Sequence, residues 1–244
     1  MTIVNDPLRT DASQWETIVR DIEALAIQRC YEKLNKIVSL GLVDTLREEA
    51  ARKAIDSRVI LDVGCGPGTS TRVIRKVLGS SRIVMLDPST TMLSIARSEV
   101  DGLTIALQGI FERLPLRDSS VDAIIAMFSF RDSIDYELAL NEFARVLRSS
   151  GKLVILDIFK PSAHIVRLLA KLYLYAMSYI GSVLVLCPRS GRYYSAIVKT
   201  LDRMYTLEEA RSALESRFRR VSIHKGPVIV HTIVAEEPLK PLKS

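Results

Sequence analysis

Apolar residues follow two different spacings along the chain. Between residues 15 and 55 they recur three and four positions apart, which predicts helices ahead of the first strand. Further on, short apolar runs alternate with stretches of helical spacing, and the joints between them are short. Strands and helices that alternate in this way predict an α/β fold, with a mostly parallel sheet and helices on both faces.

The same spacings set the bounds of the predicted elements. Strands are expected at 59–63, 83–86, 103–107, 121–127 and 153–158, and helices at 69–78, 90–98 and 135–148. Near the end, Thr206 followed by Glu209 has the spacing of a capping box, which predicts a helix to about residue 217. Segments 221–224 and 228–234 then alternate around Gly226, which predicts an antiparallel hairpin.

A glycine-rich turn separates the first predicted strand from the helix that follows it. Gly64, Gly66 and Gly68 can adopt backbone angles closed to other residues, and they let a ligand approach the main chain. The next strand ends on Asp87, where a carboxylate can bind ribose hydroxyls. The turn and the carboxylate together predict a nucleotide-like ligand. The alternative is a turn that only lets a helix pack on the sheet.

Composition and charge narrow the classes of function. A chain of 244 residues is enough for one domain with one core. Lys and Arg number 34 against 28 Asp and Glu, which gives a net charge of +6. The charges are scattered and aromatic residues make up 6% of the chain, so we expect no nucleic-acid partner.

Cysteine spacing and the first residues bear on the compartment. The three cysteines lie far apart, without a CxxC pair or a His/Cys cluster, so neither a disulfide framework nor a metal site is expected. The start of the chain lacks a basic segment followed by an apolar core, which predicts a cytoplasmic protein. Asn and Gln are scarce, which is compatible with a thermophilic source.

One long apolar segment stands apart from the alternating pattern. Residues 172–187 carry no charged side chain, yet the segment is shorter than the roughly 20 apolar residues of a membrane-spanning helix. A buried helix is one interpretation. A lid over an apolar substrate is the other, with residues 165–187 in peripheral contact with a bilayer, which would place the protein at the inner membrane face.

Several motifs resemble a known family. Asp62 within the first strand, the glycine turn and Asp87 resemble class I S-adenosylmethionine-dependent methyltransferases. Segment 128–132, FSFRD, and segment 145–161, RVLRSSGKLVILDIFKP, are similar to motifs of the ubiquinone and menaquinone C-methyltransferases. The spacing of that family's N-terminal signature is matched by Tyr31, Leu34, Asn35, Ser39, Gly41 and Arg47. Among the departures, Asp132 replaces the family's Asn, and Asp157 replaces its Glu in the fifth strand.

The resemblance implies an architecture and a cofactor. The fold would be Rossmann-like, with a seven-stranded sheet closed by the antiparallel hairpin. A single domain would comprise a helical cap (1–57), a cofactor-binding core (58–160), an apolar lid (161–205) and a C-terminal helix with the hairpin (206–244). The cofactor would be S-adenosylmethionine, released as S-adenosylhomocysteine. Its expected contacts are Asp62, Gly64, Cys65, Gly66, Gly68, Asp87, Pro88, Met92, Ile110, Phe111, Met127 and Phe128.

Two of these positions carry particular expectations. Ile110 stands where the family usually has Asp or Asn, so the side-chain hydrogen bond to the adenine is expected to be missing. Phe111 is predicted to stack on the adenine, with core filling as the alternative.

The resemblance also implies an acceptor, a lipophilic quinol methylated at a ring carbon without a metal. Arg131 would stabilise the phenolate, and Asp132 would hold Arg131 or accept the proton. The alternative for this pair is a surface ion pair. Substrate contacts are expected from Tyr31, Asn35, Ser129, Tyr193 and Tyr194. Another small-molecule or lipid acceptor, a non-catalytic cofactor-binding subunit of a quinone-synthesis complex, and a homodimer are left open.

Overall fold

The structure is a computed structural model that describes residues 23, 30–100, 104–185, 198 and 201–239. Its strands are β1 Val59–Val63, β2 Arg82–Asp87, β3 Thr104–Gln108, β4 Val121–Met127, β5 Leu147–Ile158, β6 Phe218–Lys225 and β7 Val230–Pro238. They form one sheet in the order β3-β2-β1-β4-β5-β7-β6. The first five strands are parallel to one another, and β7 runs antiparallel to both β5 and β6.

The described helices surround this sheet. They are α1 Tyr31–Val38, α2 Val43–Arg52, α3 Thr69–Leu78, α4 Thr90–Glu99, α5 Tyr136–Val146, α6 His164–Val185 and α7 Leu207–Glu215, with a short 3-10 helix at Phe130–Asp132. The predicted fold class is confirmed, including the antiparallel strands at the end. Within the described part of the chain, no helix is both long enough and apolar enough to cross a membrane.

The central strands are buried because helices cover both faces of the sheet. Strands β1 and β4 therefore read as nearly continuous apolar runs, VILDV and VDAIIAM, rather than as alternating ones. The capping box at the start of α7 is confirmed: the Thr206 hydroxyl accepts the Glu209 amide at 3.2 Å, and the Glu209 carboxylate accepts the Thr206 amide at 2.7 Å.

Two predicted bounds are wrong at the junction of α5 and β5. The helix ends at Val146 and the strand begins at Leu147, six positions before the predicted start at 153. Leu147 pairs with Val121, and the register then shifts before Lys152 pairs with Ala123. An apolar run alone does not reveal this irregular pairing, because Arg148, Ser149 and Ser150 at the start of the strand are polar and exposed.

Helix α6 lies against α1, beyond the carboxyl end of β5. Ala170 and Leu174 on α6 pack in one apolar cluster with Leu34 of α1 and Ile158 of β5. The Tyr173 hydroxyl donates to the Val38 carbonyl at 2.5 Å, which ties the two helices together. Among the described residues, one side of α6 is covered in this way and the other is exposed, which contradicts the interpretation of this segment as a buried helix.

Two of the cysteines lie in the described part of the chain. Cys30, immediately before α1, is disulfide-bonded. Wide spacing in sequence argues against a disulfide framework, but it does not report whether one pair of cysteines meets in the fold. Cys65 is a free, buried thiol, and burial raises its pKa well above the usual value.

Candidate active site

The glycine turn follows β1 and leads into α3. All three of its glycines have positive φ, at 67° for Gly64, 52° for Gly66 and 85° for Gly68. A Cβ added to Gly64 would lie 2.5 Å from Ser129 Cβ and 2.9 Å from Phe111 Cζ, whereas one added to Gly66 would meet nothing within 4 Å. Gly64 is therefore required by packing, and Gly66 faces open space that a ligand can occupy.

Asp87 joins the end of β2 to this turn. One carboxylate oxygen accepts the Gly66 amide at 2.9 Å, and the other accepts the Ser89 amide at 2.9 Å. Burial raises the pKa of Asp87 to about 6, although the two amide bonds favour the charged form. A carboxylate has about four acceptor positions, so two remain for the hydroxyls of a ligand.

Asp62 and Gly68 lie behind the site rather than in its wall. The Ser70 and Thr71 hydroxyls donate to one Asp62 oxygen at 2.7 and 2.6 Å, and burial raises the pKa of Asp62 to about 6. A Cβ added to Gly68 would be 3.1 Å from Ala96 of α4. Direct cofactor contacts from both residues stay predictions. The contacts within the protein have both residues shaping the turn from behind.

A cavity opens beyond the carboxyl ends of β1, β2 and β4. It holds about 900 Å³ of space free of protein atoms, part of it open to solvent. Apart from Asp62 and Gly68, every predicted cofactor residue lines it, as do Ser129, Arg131 and Asp132. We call this space the cofactor cavity. Residues that line it without having been predicted are Arg47, Pro67, Thr69, Ser70, Ser89 and Glu112.

Arg47 is a buried cation in the wall of the cofactor cavity. The residue is 3% exposed. Its guanidinium carbon lies 5.7 Å from the centre of the Phe128 ring, and one terminal nitrogen is 3.6 Å from an Asp44 oxygen. Among the described residues, its Nε has no hydrogen-bond partner. A buried cation with spare donors is suited to a carboxylate ligand. The sequence motif pointed to Arg47, but not to this role.

Phe128 has an unusual backbone at the end of β4. Its φ is +57°, a left-handed conformation that is rare for an aromatic residue. Its amide donates to the Leu156 carbonyl at 2.7 Å, which helps to hold the conformation. Strained residues of this kind tend to persist at ligand sites, where the surroundings enforce them.

A second, larger cavity lies on the other side of Phe128. It holds about 1420 Å³ of space free of protein atoms, part of it open to solvent. Its lining comes from α1, the α1–α2 joint, α6 and the β6–β7 turn, and is mostly apolar. We call it the apolar cavity. Phe128 and Arg131 line both cavities, so the two spaces meet at these side chains.

Arg131 is held by Asp157 rather than by its neighbour in sequence. Its Nη1 donates to Asp157 at 2.8 Å, and its amide donates to the other Asp157 oxygen at 3.1 Å. Asp132 Oδ1 lies 3.8 Å from Arg131 Nε. Both Arg131 and Asp157 are buried. The interpretation as a surface ion pair is wrong, and the main partner is a residue that the sequence marked only as a departure.

Asp132 lies in the wall of the cofactor cavity, with 22% of its side chain exposed. Burial raises its pKa to about 6, while the positive charge of Arg131 opposes that rise. A carboxyl group that titrates near neutral pH can accept a proton from a bound acceptor.

The remaining predicted residues fall in different places. Asn35 lines the apolar cavity. The Ser129 hydroxyl donates to the Val63 carbonyl at 2.7 Å, so it already serves the backbone. The Tyr31 side chain and residues Tyr193 and Tyr194 lie outside what the structure describes.

Phe111 and Glu112 form the wall beneath the glycine turn. The Phe111 ring packs edge-on against Phe143 at 6.1 Å, as core filling requires, and stacking on adenine stays a prediction. Glu112 accepts the Ile134 amide at 2.7 Å and the Asp135 amide at 3.2 Å, so it fixes the segment that follows Asp132.

The strand order, the glycine turn after β1 and the carboxylate that ends β2 define a class I S-adenosylmethionine-dependent methyltransferase. The ubiE/COQ5 methyltransferase family matches residues 12–232, and the chain belongs to this family. It is therefore an enzyme with S-adenosylmethionine as its methyl donor.

Curated relatives and a solved structure agree with this assignment. Demethylmenaquinone methyltransferase of Deinococcus radiodurans is 32% identical over 178 residues, which are 71% of this chain and 73% of that protein. Ubiquinone/menaquinone biosynthesis C-methyltransferase UbiE of Hahella chejuensis is 27% identical over 219 residues, with 83% and 85% covered. A SAM dependent methyltransferase from Aquifex aeolicus superposes with a TM-score of 0.57 at 19% identity, covering 84% of this chain and 98% of that one, which bears on the fold alone.

The residues of the cofactor cavity fit this donor. Gly66 leaves open space beside the turn, and Asp87 keeps acceptor positions for ribose hydroxyls. Arg47 supplies a buried cation with a spare donor, which suits the carboxylate of the methionine moiety. Each end of the donor therefore has a group of matching chemistry among the residues present.

Proposed function

We propose that this enzyme methylates a ring carbon of a lipophilic quinol. The observation that carries the proposal is the junction of the two cavities at Phe128 and Arg131. One cavity has the groups that suit the donor, and the other is large and mostly apolar. The names of the curated relatives, which refer to menaquinone and ubiquinone biosynthesis, support a quinol as the acceptor.

In this proposal the cofactor cavity binds and orients the methyl donor. Asp87 accepts hydrogen bonds from the ribose, Arg47 pairs with the methionine carboxylate, and Gly66 leaves room for close approach of the main chain. When bound, S-adenosylmethionine supplies an electrophilic methyl group on a sulfonium. The protein then has to hold the acceptor in line with that methyl group and exclude water.

Activation of the acceptor falls to Asp132 and Arg131. A quinol ring carbon becomes nucleophilic when the adjacent phenol loses its proton, and Asp132 is placed to accept that proton. Arg131 stabilises the resulting phenolate by charge. Asp157 acts as a positioning residue, because its hydrogen bond at 2.8 Å holds the Arg131 guanidinium at the junction.

The apolar cavity would hold the hydrocarbon tail of the acceptor. Val166, Leu169 and Leu174 of α6 line one side, and Ile158 and Ile229 line another. Burial of apolar surface contributes roughly 25 cal/mol per Å², so an isoprenoid tail is expected to tighten binding. A water-soluble analogue of the same quinol should therefore show a higher KM than the tailed acceptor.

The test is transfer of a labelled methyl group to demethylmenaquinol by the purified enzyme. The expected product is the quinol with one additional ring methyl group, identified by mass spectrometry. Phosphatidylethanolamine and a simple phenol are included as alternative acceptors. If label enters only phosphatidylethanolamine or only the phenol, the acceptor belongs to that class. If no label is transferred to any quinol, the proposal is refuted. Asp132→Ala, which removes the proposed base, serves as the control, and thermal melting checks that it is folded.

A further inference from the structure

Helix α6 exposes an apolar stripe on the side away from the protein. Ala170, Leu174 and Gly181 are buried, and they mark the inner side of the helix. The outer stripe, in which residues follow one another at three or four positions, consists of Ile165, Leu168, Leu172, Ala176, Tyr179 and Val183. All six are exposed, Leu172 by 55% and Tyr179 by 73%. A surface helix normally carries polar residues on this side.

The charged residues of α6 lie toward the inner side instead. Arg167 and Lys171 are the charged residues of the helix, and each is three positions from a buried residue of the inner side. Lys171 pairs with Asp202 at 2.6 Å. The usual arrangement of a surface helix is therefore reversed, with the charges toward the protein and the apolar stripe toward the surroundings.

The mouth of the apolar cavity lies within a larger exposed apolar surface. Leu40 and Leu42 from the α1–α2 joint and Val228 from the β6–β7 turn line the cavity, and Val228 is 77% exposed. Val166 and Tyr173 of α6 line the cavity and are also exposed. We call these five residues the apolar rim. The rim joins the outer stripe of α6 to the opening of the cavity.

We propose that the outer stripe and the apolar rim dock on the surface of an anionic phospholipid bilayer, from which a lipophilic acceptor enters the apolar cavity. The direction of entry rests on the proposed function, while the docking itself does not. A second copy or another protein seated on the rim would close the cavity mouth, whereas a bilayer covers the rim and supplies an apolar ligand. An apolar helix face lying in the interface is a known mode of membrane binding.

Charge favours an anionic surface over a neutral one. The chain carries a net charge of +6, and α6 contains no carboxylate. Lys33 is exposed on α1, the helix that packs along α6, and so is Lys36, which pairs with Asp44 at 3.0 Å. Each basic residue near an anionic surface contributes about 1 kcal/mol of attraction, which salt screens. Binding is therefore expected to strengthen with anionic lipid and to weaken with added salt.

The experiment measures co-sedimentation of the full chain with vesicles of phosphatidylcholine, with and without phosphatidylglycerol. The test variant is Leu168→Glu/Leu172→Glu, because both residues lie in the outer stripe and neither lines the apolar cavity. The matched control is Leu138→Glu on α5, since Leu138 is 51% exposed and outside the rim. The double variant should lose at least about tenfold in vesicle partitioning, and the control should bind like the wild type.

Three results would overturn the docking proposal. In the first, the wild type binds neither kind of vesicle. In the second, the double variant binds vesicles as well as the wild type does. In the third, the wild type forms a dimer in solution and binds no vesicles, and the double variant is a monomer. Thermal melting checks that the double variant is folded. With a tailed quinol in vesicles the double variant should lose turnover, but with a short water-soluble quinol it should match the wild type. Vesicle binding without methylation of either quinol would refute the proposed function alone.

Discussion

Replacement of Arg131 by alanine is expected to destabilise the fold as well as to stop turnover. Asp157 is fully buried and accepts the Arg131 guanidinium at 2.8 Å. Without that group, the carboxylate would keep two backbone donors, the Arg131 amide at 3.1 Å and the Ile158 amide at 2.8 Å. Removing one member of a buried ion pair costs about 3–5 kcal/mol, because the other charge is left without compensation.

Urea and thermal unfolding measure this cost directly. For a chain of this size, each kcal/mol lowers Tm by about 2–4 °C, so Arg131→Ala should lower it by roughly 6–20 °C. Arg131→Ala/Asp157→Asn removes both charges and should recover most of the stability without restoring turnover. Arg148→Ala is the matched control, since Arg148 pairs with Asp122 at the surface, where loss of a partner costs about 1 kcal/mol or less.

The outcome that refutes this reasoning is specific. If Arg131→Ala unfolds within about 1 kcal/mol of the wild type, the Asp157 carboxylate is compensated by other means, and the buried pair does not hold the site together. If the double variant turns over at the wild-type rate, Arg131 has no part in the chemistry. Calorimetry with S-adenosylmethionine shows whether each variant still binds the cofactor, so an effect on the chemistry can be distinguished from damage to the cofactor cavity.

Arg47→Gln is expected to weaken S-adenosylmethionine binding roughly tenfold to a hundredfold, measured by calorimetry. Binding of 5′-methylthioadenosine, which lacks the carboxylate, should not change. An equal loss of affinity for both ligands would contradict the role of Arg47. Gly64→Ala should abolish cofactor binding, because the added Cβ would lie 2.5 Å from Ser129 Cβ. Gly79→Ala, also at positive φ but facing open space, should keep it. Burial raises the pKa of Asp132 to about 6. Protonation of the free enzyme should therefore lower kcat/KM about tenfold per pH unit below 6, and a pH profile of kcat/KM without this limb would exclude Asp132 as the base.

The parts that sequence could predict are local. The segment β1–turn–α3 follows from an apolar run, glycines and helical spacing within a few residues, and its observed bounds agree with the prediction. Asp87 could be found because it ends the next strand, and ligands collect at that edge of a parallel sheet.

The parts that sequence could not predict depend on distant segments. Arg131 and Asp157 are 26 residues apart, and they meet because β4 and β5 pair side by side, with Met127 opposite Leu156. The apolar cavity is lined by five separate segments, within 35–46, 128–131, 158, 166–174 and 227–230, so no single motif encodes it. The spacing of α6 showed that the helix is apolar, but not which side the protein covers.

Phe128 combines a position that the sequence predicts with a backbone conformation that the sequence does not predict. Its position at the end of β4 was predictable, but its left-handed φ of +57° was not, because an aromatic residue has no preference for that conformation. The bond from its amide to Leu156 and the Arg47 guanidinium 5.7 Å from its ring hold it from two sides. Strain of about 1–3 kcal/mol is sustained only where the surroundings enforce it. Here it keeps one rigid ring in the walls of both the donor and the acceptor cavities, so the position of the ring sets how the two cavities meet.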